Sequence, residues 1–96
     1  MMFNDFGSYF MLVGMSCSKQ ENGKEKIYLH FLFQLKNGSG YGCFRTSSEK
    51  ERLFKMLPEK DFHLGAVYNV VTDKFLNEKK ELITFLKDIN LVREKA

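Results

Sequence analysis

Between residues 19 and 45, cationic side chains are interleaved with aromatic ones: Lys19, Lys24, Lys26, Tyr28, Lys36, Tyr41, Phe44 and Arg45. Ammonium and guanidinium groups pair with phosphate oxygens, and aromatic faces stack on unpaired bases whatever their identity, at ~1–3 kcal/mol per base. Solvated turn lysines and rim-packed tyrosines would need no more than these same residues. Their concentration in one third of the chain is what points to single-stranded nucleic acid. A second basic set, Lys74, Lys79, Lys80 and Lys87, is offset locally by Asp73, Glu78, Glu81 and Asp88 and reads as solvated surface.

Other chemistries find less support. His30 and His63 are the only histidines, and no Ser-His-Asp or Cys-His order surrounds them. His30 reads as a half-buried, hydrogen-bonded side chain. Cys17 and Cys43 share no metal-ligand spacing with either histidine. No phosphate-cradling glycine loop is present, and Gly38-Ser39-Gly40 reads as a hairpin turn. The expectation is therefore a non-enzyme without cofactor or metal.

The net charge of +3 permits an anionic partner and does not demand one. Met1 to Val13 is apolar but lacks a basic leader and is interrupted by Asn4, Asp5, Gly7 and Ser8. No run reaches the ~18 apolar residues of a membrane span. The cysteines then read as reduced thiols, and the expected compartment is the cytoplasm.

These residues need a scaffold, and the stretch Glu25 to Leu35 supplies its centre. Ile27, Leu29, Phe31, Phe33 and Leu35 fall on one parity; Tyr28, His30, Leu32 and Gln34 fall on the other. That period of two predicts a strand with one buried face and one amphipathic face. Tyr9 to Cys17 predicts a preceding strand, and Asn22-Gly23 a hairpin turn between them. A short third strand, Tyr41 to Arg45, follows, with Tyr41 and Cys43 on one side and Phe44 on the other. Gly38, Gly40 and Gly42 point to a bend or bulge there.

Thr46 with Glu49, or Ser48 with Glu51, fits a capping box, so a helix is expected from Ser48 to Leu57, ended by Pro58. Ala66 to Leu76 reads as a fourth strand. Residues 81–92 fit both periods, since Leu82, Phe85, Leu86 and Ile89 also mark a helical face. Strand is preferred, because the fourth strand needs a partner across a four-residue turn.

The order β-β-β-α-β-β over 96 residues makes one mainly-β domain, with residues 1–8 as an arm and 93–96 as a frayed tail. A small five-stranded OB-fold-like Greek-key barrel, with one short helix between strands three and four, has this order. An open sheet with one helix satisfies it as well.

Ser18-Lys19-Gln20-Glu21-Asn22-Gly23-Lys24-Glu25-Lys26-Ile27-Tyr28 resembles the basic, glycine-containing hairpin of the filamentous-phage gene V single-stranded-DNA-binding proteins. Leu64-Gly65-Ala66-Val67-Tyr68-Asn69-Val70 is similar to a strand opening in that family, and residues 82–92 to its closing strand. The family has little helix near residues 47–57 and a more basic hairpin. The resemblance implies an OB-fold, sequence-independent binding of single-stranded DNA in phage or plasmid replication, DNA favoured over RNA, and a homodimer. A small phage or mobile-element protein-interaction module, docking on a host protein through a strand edge or the apolar arm Met1 to Phe10, is the alternative.

Overall fold

A computed structural model of the chain describes residues 9–34, 40–76 and 78–94. The expected arm at 1–8, Lys36 with its neighbouring turn residues 37–39, and the last two residues of the tail lie outside these. Five strands form one antiparallel sheet: β1 (Tyr9–Lys19), β2 (Glu25–Gln34), β3 (Tyr41–Glu49), β4 (Val67–Leu76) and β5 (Leu82–Arg93). One short helix, α1 (Lys50–Met56), lies between β3 and β4, followed by a single 3-10 turn at Glu59–Asp61. Residues 82–93 are a strand, as their need for a β4 partner predicts.

The parity read in β2 sets the two faces. Ile27, Leu29, Phe31 and Phe33 are buried, while Lys26, Tyr28, His30 and Leu32 are half-buried on the outer side. Phe10, Leu12, Tyr68, Val70, Leu86 and Ile89 complete the core. Burying each such large side chain contributes ~1.5–3 kcal/mol. Phe10 also sits edge-on to Phe44, with ring centroids 5.1 Å apart, and edge-on to Phe33 at 5.8 Å. Edge-to-face pairs add ~0.5–1.5 kcal/mol each. Phe10 is thus committed to the core and is not part of a free arm.

Between β1 and β2, Gly23 N–H donates to Gln20 O at 3.0 Å and Gln20 N–H to Lys24 O at 2.7 Å. Asn22 Oδ1 accepts from Lys24 N–H at 2.9 Å. Only the glycine of Asn22-Gly23 takes a positive φ, +83°, so the connection is a turn followed by one left-handed residue.

The expected helix start is displaced. β3 does not stop at Arg45 but runs through Thr46, Ser47, Ser48 and Glu49, which pair with Leu29, Tyr28, Ile27 and Lys26. The first half of β2 would otherwise be paired on its β1 side alone, and that long-range demand overrides a local capping signal. Neither capping box forms: Glu49 is the N-cap residue, without a side-chain bond to the helix. Leu53 fastens the helix to the core, and α1 packs against β2, β3 and β5.

Of the glycines from which a bend or bulge is expected, Gly38 lies outside the described residues and Gly42 carries no bulge. β2 and β3 pair without a register shift. The irregularities fall in β1 between Leu12 and Gly14, and in the β4–β5 pair near Val67 and Val71. Gly42 serves close approach instead: a Cβ there would stand 2.5 Å from Phe33 Cζ.

The ladder order is β3-β2-β1-β4-β5. The sheet curls so that its two outer strands approach each other. Thr84 Oγ1 donates to Arg45 O at 2.7 Å, and the Arg52 guanidinium donates to Leu86 O at 2.6 Å. Among the described residues no backbone ladder joins β3 to β5. The fold is therefore a mainly-β curled sheet with one short helix. No helix among the described residues is long and apolar enough to cross a membrane.

Candidate nucleic-acid interface

Lys26 and Tyr28 are two residues apart on β2 and share its outer face. On β3, Arg45 pairs with His30 and Ser47 with Tyr28, so Arg45 is the diagonal neighbour of Tyr28 on that same face. Arg45 Cζ lies 5.1 Å from the Tyr28 ring centroid, and Lys26 Nζ lies 5.5 Å from it. Cations at this range gain ~0.5–1 kcal/mol from an exposed ring. Two cations therefore bracket one half-buried aromatic.

These side chains line a groove of about 420 Å³, together with Phe44, Thr46, Ser47, Glu81, Ile83 and Thr84. Its charged groups are Lys26, Arg45 and Glu81, so its balance is cationic by one. Ile83 and Thr84 come from β5 and reach the groove only because the sheet curls. Phe85, the next residue, has its ring centroid 5.4 Å from Lys26 Nζ. The sequence reading missed Glu81 and the three β5 residues Ile83, Thr84 and Phe85, since no periodicity places β5 beside β3. The weak available signal was their alternation, with Glu81, Ile83 and Phe85 on one parity.

The other expected site residues fare differently. Phe44 lines the groove, but it is only 9% exposed and its ring is held between Phe10 and Phe31. It is a core residue, and its ring does not offer a base-stacking face. Strand parity already set it on the side opposite Tyr41.

Lys19 pairs with Glu25, and Lys24 lies at the hairpin tip, so neither meets Tyr28. Lys24 instead lines a smaller hollow of about 210 Å³ with Glu25, Glu49, Lys50, Glu51 and Gly23. Three carboxylates and two ammonium groups give that hollow the wrong sign for phosphate. Tyr41 is 69% exposed on the Tyr28 face, opposite Gln34. It stands six positions along β3 from Ser47, the partner of Tyr28, which is ~20 Å along a strand.

Between these ends the outer face carries His30, whose ring crosses β1 over Gly14: a Cβ on that glycine would lie 3.3 Å from His30 Cδ2. Leu32 and Cys43 pair beside it. The face is thus an amphipathic strip, cationic and aromatic at one end, with an exposed tyrosine at the other.

Cys17 is exposed on the opposite parity, and its thiol donates to Glu25 Oε2 at 3.0 Å. Lys50 Nζ meets the same oxygen at 3.3 Å. The hydrogen bond to the Glu25 carboxylate pushes the Cys17 thiol up, and those two partners hold the carboxylate below its ordinary value. Among the described residues no three His, Cys, Asp or Glu side chains gather as a metal cluster would require. In the second basic set, Lys87 pairs with Asp73 at 4.0 Å, both exposed.

No protein-family model matches this chain, and neither does any curated protein or solved structure.

Proposed function

We propose that this chain binds single-stranded nucleic acid, DNA by its resemblance to the gene V family, with little regard to sequence and without catalysis. The observation that carries this reading is the Tyr28 ring with Arg45 and Lys26 each within 5.5 Å of its centroid, at the mouth of a cationic groove. A base stacks on Tyr28, and the flanking phosphates take the two cations. The order of strands around the curled sheet, β1-β2-β3-β5-β4, fits the Greek-key arrangement of an OB-fold. Such folds hold oligonucleotides on the face of strands two and three. Tyr41 extends the same face, so a strand of nucleic acid lying along β2 and β3 would reach both tyrosines.

The experiment is a titration of fluorescent oligo(dT) at two salt concentrations, repeated with RNA and duplex DNA. Lys26 and Arg45 neutralise about two phosphates, so the log–log salt slope should be roughly −1.5. Tyr28→Ala should weaken binding by ~1–3 kcal/mol while the thermal unfolding midpoint stays near that of the parent. Failure to bind at low salt removes the proposal.

A further inference from the structure

We infer that Tyr28 and Phe85 are the two walls of a clamp for one unpaired base, with Lys26 standing in the slot until the base enters. The inference rests on the single-strand reading above and adds to it a second wall and a resident cation.

Lys26 Nζ lies 5.5 Å from the Tyr28 centroid and 5.4 Å from the Phe85 centroid. The two ring centres are therefore no more than about 11 Å apart, and the one ammonium lies over both rings. Stacked aromatic partners sit ~4.5–7 Å from centroid to centroid. A base centred where the ammonium now lies would be at stacking distance from both rings. The lysine therefore occupies the place a base would take.

The walls are well anchored. Tyr28 is on β2, paired with Ser47 and Ser16 on its two sides. Phe85 lies between two fixed neighbours, Thr84 bonded to Arg45 O and Leu86 buried in the core with its carbonyl held by Arg52. Ile83, two residues along β5, continues the apolar side of the groove. Lys26, whose ammonium lies over both rings, has a long flexible stem and is the part that moves. Its cation–π energy is small, and an adjacent phosphate compensates its departure. A duplex cannot enter, because its bases already stack on one another. The ligand class is thus a single-stranded oligonucleotide with at least one base free to leave its stack.

The test uses the absence of tryptophan from the chain. Phe85→Trp places a lone indole in one wall, and oligo(dT) at low salt should quench its emission and added salt restore it. Phe85→Leu keeps apolar volume but removes the ring face, and should weaken oligo(dT) binding about 5- to 150-fold. Lys26→Gln should lower the magnitude of the salt slope by about 0.7, one phosphate's share.

If Phe85→Leu binds as tightly as the parent while Tyr28→Ala is weakened, the clamp is wrong and the single-strand reading stands. Indole emission indifferent to bound oligo(dT) also overturns the clamp, even if the leucine variant fails to fold. Absence of any oligo(dT) binding by the parent chain removes both.

Discussion

Tyr68 is a core side chain with a polar tip that has two jobs. Its hydroxyl donates to Asp61 O at 2.7 Å and accepts from His63 N–H at 2.8 Å, tying the segment after α1 to β4. Tyr68→Phe leaves a carbonyl and an amide without their partner and should cost ~1–3 kcal/mol in a urea unfolding experiment. Burial, the largest cause, raises this phenol above its ordinary pKa. A raised acid contributes stability that is complete below about pH 10, where an unfolded tyrosine begins to ionise, and that is lost as pH climbs through the higher folded value. The phenylalanine variant should therefore lose less stability between neutral and strongly alkaline pH than the parent does.

At this same scale, the shared face of Lys26 and Tyr28 was legible because a strand's alternation is a local fact, whereas the place of Arg45 beside them depends on the β2–β3 register. Lys19 and Lys24 were misplaced for a reason equally local. Proximity in sequence to a turn does not decide which side of the ribbon a side chain takes, and Lys19 follows Glu25 to the other side.

Among the elements, β3 depends on β2 most visibly. Phe33 lies over Gly42, and the 2.5 Å that would separate its Cζ from an added Cβ leaves no room for a methyl group. Gly42→Ala forces the ring out of the aromatic cluster it shares with Phe10 and Phe44. Overpacking of this kind costs ~1–3 kcal/mol, and thermal unfolding would measure it as a lowered midpoint.

The strands were readable because each has a strong period of two. The boundary between β3 and α1 was not readable, since Thr46-Ser47-Ser48-Glu49 favours a helix cap when considered alone. Pairing with Lys26 to Leu29 decides otherwise, and no window confined to those four residues contains that information. The same physics favoured the correct reading of β5, since only Val67 to Asn69 of β4 pair with β1 and the rest of that strand needs β5.

At the scale of the whole molecule, the outer face of β2 and β3 presents Tyr28 and Tyr41 ~20 Å apart. If one strand of nucleic acid engages both, affinity should rise with oligonucleotide length until the strand spans them. Tyr41→Ala should then weaken a dT8 ligand by ~1–3 kcal/mol and leave dT2 unchanged. A fluorescence-anisotropy series from dT2 to dT12 would show this, and an equal loss at every length would contradict it. This layout was half visible in the sequence. The β2–β3 side follows from alternation alone, whereas the β5 side exists only after the sheet has curled.

The manner in which that curl is fastened has a mechanical result. Four strand pairs are zipped by backbone ladders, but β3 and β5 are clasped by a threonine hydroxyl, with Arg52 reaching across from the helix. Parting a clasp of this sort costs a few side-chain hydrogen bonds, each ~1 kcal/mol net, whereas parting a zipped pair breaks a cooperative series. That seam is the cheapest of them to part, and the groove lined by Tyr28 and Arg45 lies along it. Parting that seam would carry the β5 side of the groove away as one piece, with every ladder left intact.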